Sequence, residues 1–453
     1  MIRRAGALLA ASALLLLPAC TSAPDDSSSP DRVLVFGIDG ADWDRAIPLM
    51  RQGKLPALSR LARTGTSRTL ISLPPGADGR ERLSPTIWTT AATGRLPEAH
   101  GIYHFVTANE SGGQQPVTSN RRQVASLWNM LTSRDRRVGV LGWLVTWPAE
   151  AVHGYVVSSY TPFIFRWGQG QASRPIKGTL VEGVPDQVWP PDLQPELERL
   201  KVAPASVTDR ELADRFTGVP LGADPSEDLA GSIDGMRWSW AADATYEAAY
   251  HYLAEHPPGG ERPELELVYF ASVDVISHRF WKYMEPDTWT DGPLGDDEIE
   301  GYGQSVESAY RSVDGVLARV LAREEAPVRT LILSDHGFRE NRASTRSTSS
   351  GWHRPQGLLL AEGPGIRSGR LLDPGSVVDV APTVLYALGL PIGEDFDGEA
   401  ALDLFTEEYL AAHALTTIPS WETEVAPLRE GAAVTSPVDD EILERLGALG
   451  YLD

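Results

Sequence analysis

The sequence of 453 residues contains a single cysteine, Cys20. One cysteine cannot form an intramolecular disulfide, so no disulfide framework is available to stabilise the chain. The sequence also contains no visible internal repeat, which argues against a solenoid or propeller. Since Cys20 has no second cysteine to pair with, its role has to be inferred from the residues around it.

Positive charge is also scarce. Lys and Arg number 40 against 62 Asp and Glu, which gives a formal net charge of −22. Proteins that bind the phosphate backbone of nucleic acid depend on clustered Lys and Arg. No nucleic acid is expected as a partner, although an acidic surface does not by itself identify a substrate.

The N-terminal apolar run is short. Residues 5–17 follow Arg3 and Arg4 and have the length of a signal-peptide core, which is too short for a helix that spans a bilayer. The run ends in the sequence Leu-Pro-Ala-Cys, which resembles a bacterial lipoprotein signal with cleavage before Cys20 and acylation of that residue. The alternative is a cysteine that lies beside a cleavage site by coincidence.

This N-terminus predicts where in the cell the protein is located. Residues 1–19 are expected to be a signal peptide, and residues 20–31 a flexible polar tether. A lipid on Cys20 would hold the protein to a membrane. The predicted location is therefore extracytoplasmic, in the periplasm or at the cell surface.

The rest of the sequence indicates a globular α/β fold. Hydrophobic residues make up 42% of the chain and include 13 Trp, which is ample for a large core. Strand-like apolar runs alternate with segments of helical periodicity, which favours a mostly parallel central sheet with helices on both faces. The predicted strands are 33–40, 138–143, 266–272 and 329–334, and the predicted helices are 54–64, 84–93, 124–133, 239–255 and 304–323.

Two regions fall outside this alternation. Residues 160–236 are rich in Pro, Gly and aromatic side chains, and they are predicted to form an inserted cap over the site or a long surface loop. Residues 401–453 are predicted to be a C-terminal tail in which 441–452 forms a docking helix. The catalytic domain is assigned to residues 32–400.

Acidic and imidazole side chains follow successive strand-like runs. They are Asp39, then Asp274 and His278, then Asp335 and His336, and finally His353. Parallel strands end at one edge of a sheet, where open α/β folds bind ligands. Asp and His are common ligands of divalent metals, and three of each suffice for two open catalytic sites. Taken singly, Asp39 is also typical of a turn and His278 of a core histidine.

In these segments the chain resembles the alkaline phosphatase superfamily, and within it the type I phosphodiesterase/nucleotide pyrophosphatase branch. The matching segments are VFGIDG (35–40), LSPTIWTTAATGRLPEAHGI (83–102), SVDVISH (272–278), SDHGF (334–338), His353 and VVDVAPTVLYALGLP (377–391). The ligand sets that the resemblance implies are Asp39, Asp335 and His336 for one metal, and Asp274, His278 and His353 for the other. Zinc is the usual metal of that family, and the residue types also suit manganese or iron.

The same resemblance implies a nucleophile, Ser84, where the family has Thr or Ser. Ser84 is predicted to be the N-cap of helix 84–93, with Pro85 as its first residue and Gly94 as its C-terminal stop. A helix N-terminus favours a phosphate group. The alternatives are that Ser84 only caps the helix and that Thr86 is the nucleophile.

Around the nucleophile the chain departs from the nucleotide pyrophosphatases. Their nucleophile is followed by Phe-Pro-Asn-His, whereas Ser84 is followed by Pro-Thr-Ile-Trp, and Phe105 replaces an Asn that contacts phosphate in that family. The resemblance therefore does not extend to a nucleotide substrate. Trp88, His104 and Phe105 are predicted to bind the substrate, although aromatic residues near strand ends are more often core packing. Sulfatases need a Cys or Ser followed by x-Pro-x-Arg, and the absence of that motif argues against a sulfatase.

The expected function is a metal-dependent phosphoric-ester hydrolase that uses two divalent metals and a phosphoseryl intermediate, with diesters favoured over monoesters. Its substrate would be a small-molecule or envelope phosphoester, and the sequence leaves the oligomeric state open. One alternative is a transferase that moves a phospho-group onto an envelope glycan or lipid. Another is a non-catalytic surface lipoprotein that retains the fold, against which the full set of six ligands argues.

The lipoprotein signal leads to a first prediction. A Cys20→Ala chain should lose acyl labelling and should no longer sediment with membranes, because the thiol that carries the lipid is gone. Metabolic labelling with a fatty-acid analogue and membrane fractionation measure both effects. A mature chain that begins elsewhere and carries no lipid, as found by mass spectrometry, would contradict the anchor.

Overall fold

The chain folds around a central β-sheet in a computed structural model. The structure describes residues 32–426 except 78, 110–112, 160–183, 222–224, 291, 325–326 and 342–348, together with 434–436, 439–440 and 443. The described strands are β1 (Val33–Ile38), β2 (Thr66–Ile71), β3 (Val106–Ala108), β4 (Gln114–Pro116), β5 (Val138–Leu141), β6 (Gly154–Val157), β7 (Val188–Trp189), β8 (Leu265–Phe270), β9 (Arg329–Leu333), β10 (Gly337–Glu340), β11 (Gly351–Arg354), β12 (Gln356–Glu362), β13 (Arg370–Leu371), β14 (Gly375–Ser376), β15 (Ile392–Gly393) and β16 (Thr417–Ile418).

The centre of this sheet is parallel. Its strand order is β13-β2-β12-β9-β1-β8-β5-β6-β7, with β14 also paired to β2. Strand β1 lies between β8 and β9 and is parallel to both, whereas β12 and β7 run antiparallel to their neighbours. The carboxyl ends of β1, β8 and β9 therefore meet at one edge, and the residues that follow them share that edge.

Helices connect and cover these strands. They are α1 (Trp43–Arg51), α2 (Pro56–Thr64), α3 (Ser84–Thr93), α4 (Pro97–His100), α5 (Leu127–Ser133), α6 (Gln194–Leu200), α7 (Asp209–Leu212), α8 (Glu227–Glu255), α9 (Ser272–Met284), α10 (Asp296–Tyr302), α11 (Ser305–Leu321), α12 (Val380–Ala387) and α13 (Glu407–Ala412). None of the described helices is both long enough and apolar enough to cross a membrane.

Both faces of the sheet are buried under helices. In β1, Val33 and Val35 belong to a hydrophobic cluster that includes residues of α3, α5 and α12. The alternate residues Leu34 and Phe36 belong to a second cluster with α1, α2 and α11. Because both faces are covered, β1 is a continuous apolar run in the sequence rather than an alternating one. The predicted α/β class with helices on both faces is confirmed.

The longest helix, α8, extends well beyond its prediction. The sequence predicted a helix over 239–255, but α8 begins at Glu227, where the side chain of Ser226 caps it. The missed half contains Gly231 and Gly235, and each internal Gly costs a helix about 1 kcal/mol relative to Ala. The helical signal is therefore weak there, and packing against the rest of the domain decides the conformation.

Parts of the predicted domain plan lie outside the described residues. These parts are the signal peptide, the tether over 20–31, and residues 160–183 of the predicted insertion. Beyond residue 183 the chain adds β7 to the sheet edge and continues through α6 and α7. The interpretation of residues 160–236 as a cap stays a prediction. The docking helix over 441–452 also stays a prediction, because the structure describes only residue 443 of that segment.

A carboxylate on one helix caps another helix. Helix α2 starts at Pro56 and has no capping side chain of its own. The buried Asp314 of α11 accepts hydrogen bonds from the backbone N–H of Ala57 at 3.1 Å and of Leu58 at 2.8 Å, one on each carboxylate oxygen. This pair of bonds satisfies two N–H groups that a helix start leaves open and ties α2 to α11.

This cap leads to a stability prediction. In Asp314→Asn one of the two acceptor oxygens becomes an amide, so one buried N–H loses its partner, and the free energy of unfolding should fall by about 1–3 kcal/mol. Urea unfolding followed by circular dichroism measures the change. The exposed Asp373→Asn is a matched control that should stay within about 0.5 kcal/mol of the parent. Equal effects of the two variants would contradict the capping role.

Candidate metal centre and nucleophile

Asp39 is the first residue after β1, and its side chain is fully buried. Its backbone N–H donates to the carbonyl of Phe270 at 3.0 Å, which holds the end of β1 against β8. The next residue, Gly40, has φ of +74°, and a Cβ there would lie 3.1 Å from the Cα of Asp274. Glycine therefore permits both the turn and the close approach of the α9 backbone at Asp274.

Asp335 and His336 follow β9 and meet Asp39 at the sheet edge. His336 Nε2 lies 3.3 Å from Asp39 Oδ1 and 3.4 Å from Asp335 Oδ2. The Ser334 hydroxyl joins the two loops, since it accepts from the N–H of Ala41 at 2.8 Å and donates to the carbonyl of His336 at 2.8 Å. Backbone contacts thus fix the three side chains relative to one another.

Helix α9 carries Asp274 and His278 one turn apart, on the same face. His278 Nε2 lies 3.4 Å from Asp274 Oδ1. The other ring nitrogen, Nδ1, lies 2.7 Å from the Ser349 hydroxyl, which itself donates to the carbonyl of Gly351 at 2.6 Å. Since Nδ1 lies at the Ser349 hydroxyl, Nε2 is the ring nitrogen that faces the carboxylate.

His353 comes from β11, the second strand of the hairpin that follows β9. Its Nε2 lies 2.9 Å from His278 Nε2 and 3.5 Å from Asp274 Oδ1, and its ring stacks on His336 at 3.7 Å. Burial and the nearby His336 lower the pKa of His353 to about 3, so this imidazole is neutral and able to ligate a metal.

The structure brings all six predicted ligands together in one buried cluster. One ligand atom from each of Asp39, Asp335 and His336 lies within 4.8 Å of the others, and the same holds for Asp274, His336 and His353. His336 lies near both groups, with its Nε2 3.8 Å from Asp274 Oδ1. The division of the six ligands into two sets of three stays a prediction.

Ser84 lies at the start of α3, but it does not cap the helix as predicted. The N-cap is Leu83, which is extended at φ −97° and ψ 162°, and Ser84 is the first helical residue. Its hydroxyl oxygen instead lies 3.5 Å from Asp39 Oδ1 and 3.4 Å from His336 Nε2. The side chain that the sequence suggested as a cap is turned toward the carboxylate cluster.

The same helix start offers fewer free N–H groups than expected. Pro85 has none, and the N–H groups of Thr86 and Ile87 donate to the carbonyl of Leu83 at 2.9 and 3.2 Å. The Thr86 hydroxyl is buried without a hydrogen-bond partner, so Ser84 is the hydroxyl that faces the cluster. At the other end, Gly94 terminates α3 with φ of +66°, as predicted.

The predicted substrate contacts occupy two different places. Trp88 is completely buried, and its indole Nε1 lies 3.3 Å from Asp39 Oδ2, behind the ligand cluster. His104 and Phe105 are half-buried in the segment between α4 and β3, with their rings 6.3 Å apart. Contact of these three residues with a substrate stays a prediction.

Comparison with known protein families agrees with this centre. The model of the family "Type I phosphodiesterase / nucleotide pyrophosphatase" matches residues 33–388, which include all six predicted ligands and Ser84. The chain belongs to this family. It is therefore a phosphoester hydrolase of the alkaline phosphatase superfamily.

Comparison with individual proteins does not add to the family assignment. A search of curated protein sequences gives no significant match. The solved structures of murine and human ectonucleotide pyrophosphatase/phosphodiesterase 5 are both similar at 12% identity, over 83% of this chain and 100% of theirs, with TM-scores of 0.45 and 0.44. The family membership rests on the sequence match alone.

Members of this family depend on metal, and the described residues suit one. Burial and the neighbouring carboxylates raise the pKa of Asp39, and burial and Asp274 raise that of Asp335 to about 7. Asp335 Oδ2 and Asp274 Oδ1 are buried and accept no hydrogen bond. Three clustered carboxylates with open oxygens, next to imidazole nitrogens, form the mixed oxygen and nitrogen donor set of a divalent metal.

Sequence reasoning missed two residues that hold this centre in place. Tyr269 donates its hydroxyl proton to Asp39 Oδ2, and Asp243 of α8 accepts from the N–H groups of Ala271 and Ser272 at the start of α9. Tyr269 could have been found from the sequence, because it lies one residue before the end of β8 and the alternation of side chains along a strand gives its direction. The sequence contains no local signal for Asp243, since its partners lie on another element.

The cluster of six predicted ligands leads to a prediction of how much metal each chain binds. Elemental analysis of the purified chain should find about two equivalents of divalent metal, and chelation should abolish turnover. Asp335→Asn and His353→Ala each remove a ligand from a different predicted set, so each variant should retain about one equivalent. The exposed Asp373→Asn should keep both. A metal-free wild-type chain with full activity would contradict the whole assignment.

Proposed function

We propose that this protein hydrolyses phosphodiesters by a double displacement in which Ser84 is the nucleophile. The observation that carries the proposal is the position of the Ser84 hydroxyl, 3.5 Å from Asp39 Oδ1 and 3.4 Å from His336 Nε2 at the edge of the buried cluster. A serine that served only to start a helix would turn its oxygen to the backbone. The family description supports a diester as the substrate.

The six clustered side chains are proposed to hold two divalent metals, with zinc favoured by the mixed Asp and His donor set. Bound in this way, the metals would lower the pKa of the serine hydroxyl and neutralise charge on the phosphate oxygens. The protein supplies their orientation. His278 is fixed through Ser349, and the loop of Asp335 is fixed to the loop of Asp39 through Ser334.

In the first displacement the Ser84 oxygen forms a bond to phosphorus while the bond to the leaving alcohol oxygen breaks in line with it. The hydroxyl proton of Ser84 is released to solvent, and the departing alkoxide takes up a proton from water. In the second displacement a water oxygen attacks the phosphoseryl phosphorus while the bond from phosphorus to the Ser84 oxygen breaks, and a proton of that water goes to the Ser84 oxygen. This step releases a phosphomonoester and restores Ser84.

Three residues in the first turn of α3 offer a phosphate no free N–H. Pro85 lacks an N–H, and the N–H groups of Thr86 and Ile87 donate to the carbonyl of Leu83. In the proposed mechanism the negative charge of the transferring phosphoryl group is therefore balanced mainly at the Asp and His cluster, through its cations. The proposed mechanism thus depends on the metals more strongly than the sequence alone suggested.

Substitution of two neighbouring hydroxyls tests the proposal. Ser84→Ala should stay folded and keep its metal, yet release p-nitrophenol from bis(p-nitrophenyl) phosphate about 10³-fold more slowly or worse, because the nucleophile is gone. The matched control is Thr86→Ala, whose hydroxyl is buried and unpaired, and it should retain most of the rate. Ser84→Thr should recover part of the activity.

Trapping the intermediate separates the remaining possibilities. Acid quench during turnover should give a phosphorylated peptide that contains Ser84. A phosphate on Thr86, or full activity of Ser84→Ala, would overturn the assignment of the nucleophile. Transfer of the phospho-group to added alcohols in preference to water would favour the transferase alternative over hydrolysis.

A further inference from the structure

Tyr269 reaches the ligand cluster from within the sheet. It is the residue of β8 that pairs with Gly37 of β1, and its side chain lies on the same face as those of Leu265 and Leu267. From there its hydroxyl donates to Asp39 Oδ2.

Trp88 contacts the same carboxylate oxygen. Its Nε1 lies 3.3 Å from Asp39 Oδ2, and its ring packs edge-on against Tyr269 with centroids 5.1 Å apart. Trp143 packs against the other side at 4.8 Å and donates its own N–H to the carbonyl of Trp88 at 3.0 Å. A Cβ on Gly37 would lie 2.8 Å from the Trp88 ring, so the missing side chain makes room for this indole.

The two carboxylate oxygens of Asp39 therefore have different contacts. Oδ2 accepts from two neutral donors, whereas Oδ1 faces Ser84 and His336. A carboxylate held in this way offers a metal one oxygen in one orientation. Partners of this kind usually contribute strongly to the affinity of the metal whose ligand they orient.

We infer that Tyr269 and Trp88 are positioning residues that make Asp39 a one-oxygen ligand and thereby set the affinity of the metal site beside Ser84. The inference rests on the proposed function, since it assumes that Asp39 ligates a metal. It gives Trp88 a role behind the ligands, in place of the predicted contact with substrate.

The same sheet offers a matched control. Tyr155 is also a buried tyrosine on a parallel strand, and its hydroxyl donates to the buried carboxylate of Glu266 at 2.5 Å. Glu266 pairs with Arg32 and Arg262 and is not among the six predicted ligands. Tyr155→Phe therefore removes an equivalent hydrogen bond without altering the orientation of a metal ligand.

The test is Zn²⁺ affinity, measured by competition with a chromophoric chelator on the full chain. In a His278→Ala background, which leaves the Asp39 set intact, Tyr269→Phe and Trp88→Phe should each weaken Zn²⁺ binding by about 10- to 100-fold. In an Asp335→Asn background, which leaves the other set intact, neither substitution should change the affinity more than about twofold. Tyr155→Phe should leave both affinities unchanged, whatever its effect on stability.

Each outcome bears on a separate claim. Unchanged Zn²⁺ affinity of Tyr269→Phe in the His278→Ala background, or equal weakening in both backgrounds, would overturn the positioning role. If Tyr269→Phe does not fold, Trp88→Phe applies the same criterion to the same oxygen. Failure of the wild-type chain to bind Zn²⁺ would instead refute the proposed function.

Discussion

The site depends on one electrostatic constraint, which is the burial of three carboxylates side by side. Asp39, Asp274 and Asp335 are almost fully inaccessible to solvent, and burial together with mutual repulsion raises the pKa of Asp39 and Asp335. Buried charge is stable only when it is paired or coordinated. The parallel strands bring the three side chains to one edge, so the fold creates a demand for positive charge there.

The opposite end of the sheet meets a similar demand in a different way. Glu266, at the start of β8, is buried as completely as Asp39, but Arg32 and Arg262 contact it at 2.7 and 2.6 Å. At the carboxyl edge Asp39 instead contacts a serine, a tyrosine, a tryptophan and a histidine. One end of the sheet thus carries its own cations, and the other is suited to receive them from solution.

This contrast explains what the sequence could and could not predict. Predicted ligands such as Asp335 and His336 come just after a strand, so their position along the chain fixes their position at the edge of the sheet. The cap that Asp314 provides for α2, and the contact of Asp243 with the start of α9, join elements that are distant in sequence. Such contacts depend on helix packing and leave no local pattern. The N-cap assigned to Ser84 was wrong by one residue, because the helix begins at Ser84 with Leu83 as its N-cap, and the Ser84 hydroxyl lies beside Asp39 and His336 instead.

The departure of this chain from the nucleotide pyrophosphatase motif can now be interpreted physically. The fourth residue after the nucleophile is His in that motif and Trp88 here, and the indole is used inside the protein, against Asp39, Tyr269 and Trp143. A completely buried side chain has no surface to offer an incoming ester. In the proposed mechanism, the difference at this position therefore concerns how a metal ligand is supported rather than which alcohol is released.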